Sequence, residues 1–176
     1  MSKNGKSMSS PANLKKYVLP AIAALLAATA AIVLLAVPKR EAASVSALYA
    51  RRDGDGNIAI SASELSEGKL TVLKFAEDSR IELIATLDNK GAAQAAFGTC
   101  QSCMGSPGAY YTQNGEELQC NNCGLTFPMS VIGGGGRGCH PIPIGEEAIT
   151  RTADGLVIDS ETVAAAEPLF STVAPH

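Results

Sequence analysis

Four of the five cysteines stand as two Cys-x-x-Cys pairs, Cys100/Cys103 and Cys120/Cys123, with 16 residues between the pairs. Each pair places two sulfurs on one tight turn, so both can reach a single ion. Two such turns supply the four corners of a tetrahedron. Zinc ribbons and iron–thiolate sites share this spacing. Two disulfides are the alternative, which an exported domain would permit. A disulfide inside Cys-x-x-Cys, however, is more often redox-active than a staple.

The fifth cysteine, Cys139, lies in the run GGGGRGCHPIP, directly before His140. Glycines at 133–136 and 138 let the backbone approach a ligand with no side chain in the way. Pro141 and Pro143 stiffen the exit from the loop. A loop ending at a fixed Cys-His pair suits an open metal position or a redox thiol, while a surface loop with an unpaired thiol is the plainer reading. His140 would ligate a metal or hydrogen-bond a sulfur. The candidate metal ligands are therefore Cys100, Cys103, Cys120, Cys123, Cys139 and His140. No Cys-x-x-Cys-His occurs, which argues against covalent haem.

Other residues nearby read as structural. Tyr110 and Tyr111, between the pairs, are expected to pack. Phe127 and Met129 are placed to shield sulfurs from water, and such burial tunes redox potential. Met104 and Met129 keep a soft copper(I) site open without arguing for one. The chain shows no Ser-His-Asp set, phosphate-binding glycine motif or histidine–carboxylate cluster, so hydrolase and kinase readings find no support and no catalytic residue is assigned. A thiol–disulfide enzyme is disfavoured, because the usual histidine or proline context is missing.

The 176 residues are unevenly charged. Residues 1–16 hold four lysines and no acid; 17–37 hold no charge; 38–176 hold ten basic and 17 acidic residues, a net −7. The acidic balance gives no electrostatic reason for nucleic-acid binding. YVLPAIAALLAATAAIVLLAV, residues 17–37, would as a helix span roughly 30 Å, the hydrocarbon thickness of a bilayer. Lysines 15 and 16 precede it, and Lys39 and Arg40 follow. The expectation is an uncleaved single-pass anchor in the lipid bilayer. A cleaved signal peptide is the alternative, although its apolar core is usually shorter. Four Lys/Arg flank either side (Lys3, Lys6, Lys15, Lys16; Lys39, Arg40, Arg51, Arg52), so the positive-inside rule returns a tie. We place the larger segment outside the cytoplasm, because a signal-anchor is a common export route.

The organisation expected is a basic tail (1–16), a transmembrane helix (17–37), a linker (38–53), a β-rich cysteine-ligated domain (54–170) and a short tail (171–176). The fold class is mainly β: a small metal-binding domain with two cysteine knuckles. DGDGN at 53–57 reads as a turn into a strand at Asn57–Ile60. It fails as a calcium loop, since Ile58 stands where the sharp turn needs glycine. Strands are expected at Leu70–Phe75 and Ile81–Leu87, with a weaker one at Ala92–Phe97. Ile149–Thr152 and Leu156–Ile158 form a hairpin around Asp154–Gly155. Glu161–Ala166 makes one or two helical turns, ended before Pro168.

DGNIAISASELSEGKL, the Cys-x-x-Cys with GAYY, CNNCGLTFPMSVIG and GCHPIPI together resemble the FtrD-like membrane iron–sulfur proteins of bacterial iron uptake, over about residues 54–160. Where that family carries Gly-Gly-Cys-Asn-Pro, this chain has Arg137-Gly138-Cys139-His140-Pro141, and the histidine would add a ligand. The resemblance implies an iron–sulfur centre with the five cysteines as candidate ligands; the spacing itself suits a cluster, a single iron or zinc. The expected function is non-enzymatic: electron transfer or metal handling for a neighbouring membrane permease or oxidoreductase. The competing expectation is a structural zinc-ribbon interaction domain without redox activity.

Overall fold

The computed structural model describes residues 46–75 and 80–176. The apolar segment 17–37 lies outside these residues; among the described ones no helix is long and apolar enough to cross a membrane.

Among the described residues, twelve strands form three sheets. The largest has five strands: β1 (Ser46–Tyr49), β4 (Thr71–Lys74), β5 (Glu82–Leu87), β6 (Ala93–Cys100) and β10 (Pro141–Pro143), in the order β1-β4-β5-β6-β10. Only the β1–β4 pair is parallel; the rest are antiparallel. A second sheet is antiparallel, with β11 (Ile149–Thr152), β12 (Gly155–Ile158), β3 (Ile58–Ser61) and β2 (Arg51–Arg52) in that order. The third is a meander of β7 (Tyr111–Asn114), β8 (Glu117–Cys120) and β9 (Thr126–Pro128).

Strands β4, β5 and β6 are buried on both faces, and strand periodicity sorts their side chains between two cores. Leu73, Leu83, Ala85, Ala95 and Phe97 join Ile58, Ile60, Leu156, Ile158 and Phe170 on one face. Val72, Ile84 and Ala96 join Tyr111, Leu118, Met129, Ile132 and three cysteines on the other. Double burial explains why Ile81–Leu87 alternates only partly in sequence, since neither face needs polar residues. It also explains why alanines suffice in β6, where position between two partner strands outweighs weak strand propensity.

The helix α1 (Ser160–Ala165) is capped by Asp159, whose side chain accepts from the Thr162 amide at 2.9 Å. A tight helical turn over Glu167–Phe170, with Pro168 in its first positions, then delivers Phe170 edge-on to Phe97, centroids 6.4 Å apart. At the 53–57 turn, Asp53 Oδ1 accepts from the amides of Asp55 and Asn57, both at 2.9 Å. Its carboxylate serves its own backbone, as an Asx turn does.

Several segments carry more structure than their sequence suggests. Strands β1 and β2 lie within the stretch read as linker, and both pair with domain strands. Residues 171–176, read as a tail, pack back on the domain. The Ala174 amide donates to the Pro107 carbonyl at 2.9 Å, and His176 stacks on Tyr110 with centroids 3.6 Å apart. The β11–β12 loop is Ala153–Asp154, one residue earlier than the expected turn, with Gly155 already paired to Thr152.

Candidate metal centre

The central sheet delivers the first cysteine. Strand β6 ends at Cys100, and β10 begins opposite it, with Pro141 paired to Cys100. The next pair is Ile142 with Phe97, so Gly98 and Thr99 form a bulge just before the cysteine. The Thr99 hydroxyl and the Cys100 amide both donate to the Ala109 carbonyl, at 2.9 and 3.2 Å. These bonds close the first knuckle over residues 100–109.

The second knuckle closes where β8 ends. The Gly124 amide donates to the Cys120 carbonyl at 2.8 Å, and the Cys120 amide to the Leu125 carbonyl at 3.0 Å. Gly124 has a φ of 74°, a left-handed conformation that a residue with a Cβ rarely adopts. The knuckles are joined by a hydrogen bond from Ser106 to Asn122.

Cys139 arrives with β10. Two residues before the partner of Cys100, it is carried to the knuckles by the central sheet itself. The Gln101 amide donates to the His140 carbonyl at 3.0 Å, and the Tyr111 hydroxyl to the Cys139 carbonyl at 2.9 Å. The Gln101 side-chain amide also donates to the carbonyls of Gly136 and Pro141, both at 3.0 Å.

The sulfurs of Cys100, Cys103, Cys120 and Cys139 all lie within 4.8 Å of one another. Cys103 is 3.8 Å from both Cys120 and Cys139. Metal–sulfur bonds of about 2.3 Å in a tetrahedron give sulfur–sulfur edges of about 3.8 Å, so this donor set fits a thiolate-bound metal. The four are not the two complete Cys-x-x-Cys pairs. Cys123 is exposed and outside the group, its sulfur 3.3 Å from that of Cys139. All five cysteines are free thiols.

Crowding and burial set the acidities of these thiols. Burial works against a Cys100 thiolate, yet hydrogen bonds from Tyr111 and the Cys103 and Ser102 amides outweigh it and lower its pKa. Burial pushes Cys120 up to about 12. Cys139 is also raised, first by its contact with Cys123 and then by burial. The Leu125 amide, followed by Cys139, lowers Cys123. Tyr111 is raised by burial and by the neighbouring Cys100 sulfur, so its hydroxyl stays a donor. Adjacent sulfurs cannot all ionise alone; a bound cation reverses that balance.

His140 is not in the mutual group. Its ring meets Phe127 edge-on at 4.9 Å, and its Nδ1 is buried without a hydrogen-bond partner. A Cβ at Gly136 would sit 1.9 Å from that nitrogen, and the φ of 143° there also favours glycine. The glycine loop's close approach at this position is to the imidazole. Met129 is buried with the cysteines, as a sulfur shield should be, Phe127 is half-buried, and Met104 is exposed.

Residues 65–170 match the family described as membrane iron-sulfur containing protein FtrD-like. The chain belongs to this FtrD-like family. Searches of curated proteins and of solved structures found no match. The matched span includes all five cysteines and most of both cores, so in this FtrD-like chain the candidate metal ligands and the folded domain are one unit.

Two positioning residues of the FtrD-like domain, Gln113 and Gln101, escaped the sequence reading, and a third, Tyr111, was expected only to pack. Gln113 is buried; its side chain accepts from the Leu70 amide at 3.0 Å and donates to the carbonyls of Gly68 and Gly115, at 3.0 and 2.7 Å. It fastens the β7–β8 hairpin to the central sheet. Gln101 holds the glycine loop, and Tyr111 holds Cys139. The hairpin had a signal, Asn114-Gly115 between alternating residues, whereas the glutamines had none.

Proposed function

We propose that this domain holds an iron–thiolate or iron–sulfur centre on its cysteine cluster and serves electron transfer or metal handling in iron uptake. It would do so beside a membrane permease or oxidoreductase, held to the bilayer by residues 17–37 with the domain outside the cytoplasm. The observation that carries this reading is the surplus of donors: four sulfurs within 4.8 Å and a fifth, exposed, 3.3 Å from one of them. A structural zinc site is closed by four ligands, whereas sites that exchange or react keep an open position.

An iron centre bound there would supply one-electron redox capacity. The chain's own part is to hold and insulate it. Cys100, Cys103, Cys120 and Cys139 would be the ligands. Leu118, Met129 and Ile132 exclude water from the buried side. Tyr111 fixes the Cys139 backbone by donating to its carbonyl. The sulfur spacing fits a metal held by thiolates.

The structural zinc reading is favoured by one observation, the complete burial of Cys100 and Cys120 within the second core. Anaerobic purification of the full chain, with metal and acid-labile sulfide analysis and a visible spectrum, separates the two. The iron reading expects iron and a coloured protein. A colourless protein with stoichiometric zinc would remove the redox role.

A further inference from the structure

The five sulfurs grade from buried to exposed. Cys100, Cys103 and Cys120 are buried, Cys139 is half-buried, and Cys123 is exposed. The exposed sulfur lies against the half-buried one, at 3.3 Å. Cys123 sits on the solvent side of the second knuckle, between Asn122 and Gly124, and the next side chain, Leu125, is also exposed. Met104, which follows the second cysteine of the first knuckle, is exposed as well. Between Lys90 and Glu146 the charged residues are Glu116, Glu117 and Arg137, so neither knuckle carries a charge of its own.

We infer that Cys123 is an exchange ligand. The metal rests on Cys100, Cys103, Cys120 and Cys139, and it enters and leaves by way of Cys123, which takes the coordination place of Cys139. This rests on the metal-centre reading above and adds a route of transfer to it. The exchange balances without an oxidant. The Cys123 sulfur gives up its proton as it binds, and the Cys139 sulfur takes one up as it leaves. Four thiolates hold the metal before and after, and no electrons move. With Cys139 released, the held metal lies at the exposed edge, open to an acceptor of thiolate or imidazole chemistry. The uncharged knuckle tips admit such an acceptor without charge repulsion.

The test loads the full chain anaerobically with cobalt(II), whose thiolate complexes are coloured, and follows loss of the colour to excess EDTA. Cys123→Ser, at an exposed position, should bind the same amount of cobalt as the parent and release it severalfold more slowly. Cys139→Ser should still bind, with Cys123 in its place, and release severalfold faster. The double variant should bind least of the three. Cys103→Ser marks the behaviour of a fixed ligand, losing most of the cobalt. The inference is overturned if Cys123→Ser loses cobalt as Cys103→Ser does, or releases it at the parent's rate. A parent chain that binds no cobalt would instead bring down the metal-centre reading, and this inference with it.

Discussion

The two faces of the central sheet are held by different physics. On one face Ile58, Ile60, Leu83, Phe97, Leu156, Ile158 and Phe170 build an ordinary apolar core, where each fully buried large side chain contributes about 1.5–3 kcal/mol. On the other, three cysteines occupy places that such side chains would otherwise fill. A buried thiol packs like a small hydrophobe, but it removes little apolar area from water. As thiolates, sulfurs within 4.8 Å of one another repel unless a cation lies between them. The first face should therefore stand without metal, and the second should depend on it.

Removing the metal proposed for the cysteine cluster is the strongest test of that contrast. Structural zinc contributes about 10–16 kcal/mol in small zinc-finger peptides, so chelation should release most of the knuckle layer. Hydrogen exchange should then quicken at Tyr111, Leu118 and Cys120, while Ile60, Leu156 and Ile158 stay protected. Equal loss on both faces would show a single cooperative core.

Phe170→Ala strikes the other face. It should cost about 3–5 kcal/mol in equilibrium unfolding, through the lost contact with Phe97 and the cavity left behind. Metal bound per folded chain should not change. A fall in metal content would mean that the two cores communicate through the sheet.

Gln113→Ala is expected to cost about 2 kcal/mol, because the Leu70 amide and the Gly68 and Gly115 carbonyls lose their buried partner. Its signature is faster exchange confined to β7 and β8. A loss spread over β3 and β12 would contradict the assignment of Gln113 to the knuckle side.

The smallest expected effect is set by pH. Glu82 is buried and pairs with Lys74 at 3.0 Å and His176 at 3.1 Å, and His176 stacks on Tyr110 of the knuckle layer. Burial opposes the Glu82 carboxylate, but hydrogen bonds from His176 and Lys74 outweigh it and lower its pKa. The bond to Glu82 raises His176 against the effect of burial. Glu82 thus stabilises above its ordinary 4.5, and this is lost as pH falls through its lowered folded value. His176 stabilises fully below its ordinary 6.5, and this is lost as pH rises through its raised folded value. The parent's advantage over His176→Gln, about 1 kcal/mol or less, should peak between these limits and shrink on either side. A pH-independent difference would assign His176 to stacking alone.

The legible elements were those with one dominant local signal. Alternating or apolar runs marked β4, β5, β11 and β12, and Pro168 marked where the first helical turns end, although a further turn runs through it. The misses have physical causes. Strand β10 carries prolines at two of its three positions, which reads as an exit loop. Proline is tolerated there because β10 lies at the sheet edge. Strands β1 and β2 are short, and their pairing comes from partners distant in sequence. In the site, the five sulfurs were legible, but their grouping was not. Two Cys-x-x-Cys pairs suggest a tetrahedron of their own, yet the structure groups Cys139 with three of the four and leaves Cys123 outside.

The amino-acid sequence by itself determined the donor chemistry, the two knuckle turns, the β-rich class and the family. These follow from residue type and short spacing, which act over a few residues. Tertiary structure alone decided which sulfurs share one centre and which faces water. Cys139 reaches the knuckles because β10 pairs with β6, and Cys123 is left outside because the second knuckle turns it to solvent. Strand pairing between residues some forty positions apart is a property of the packed sheet, and no local pattern encodes it.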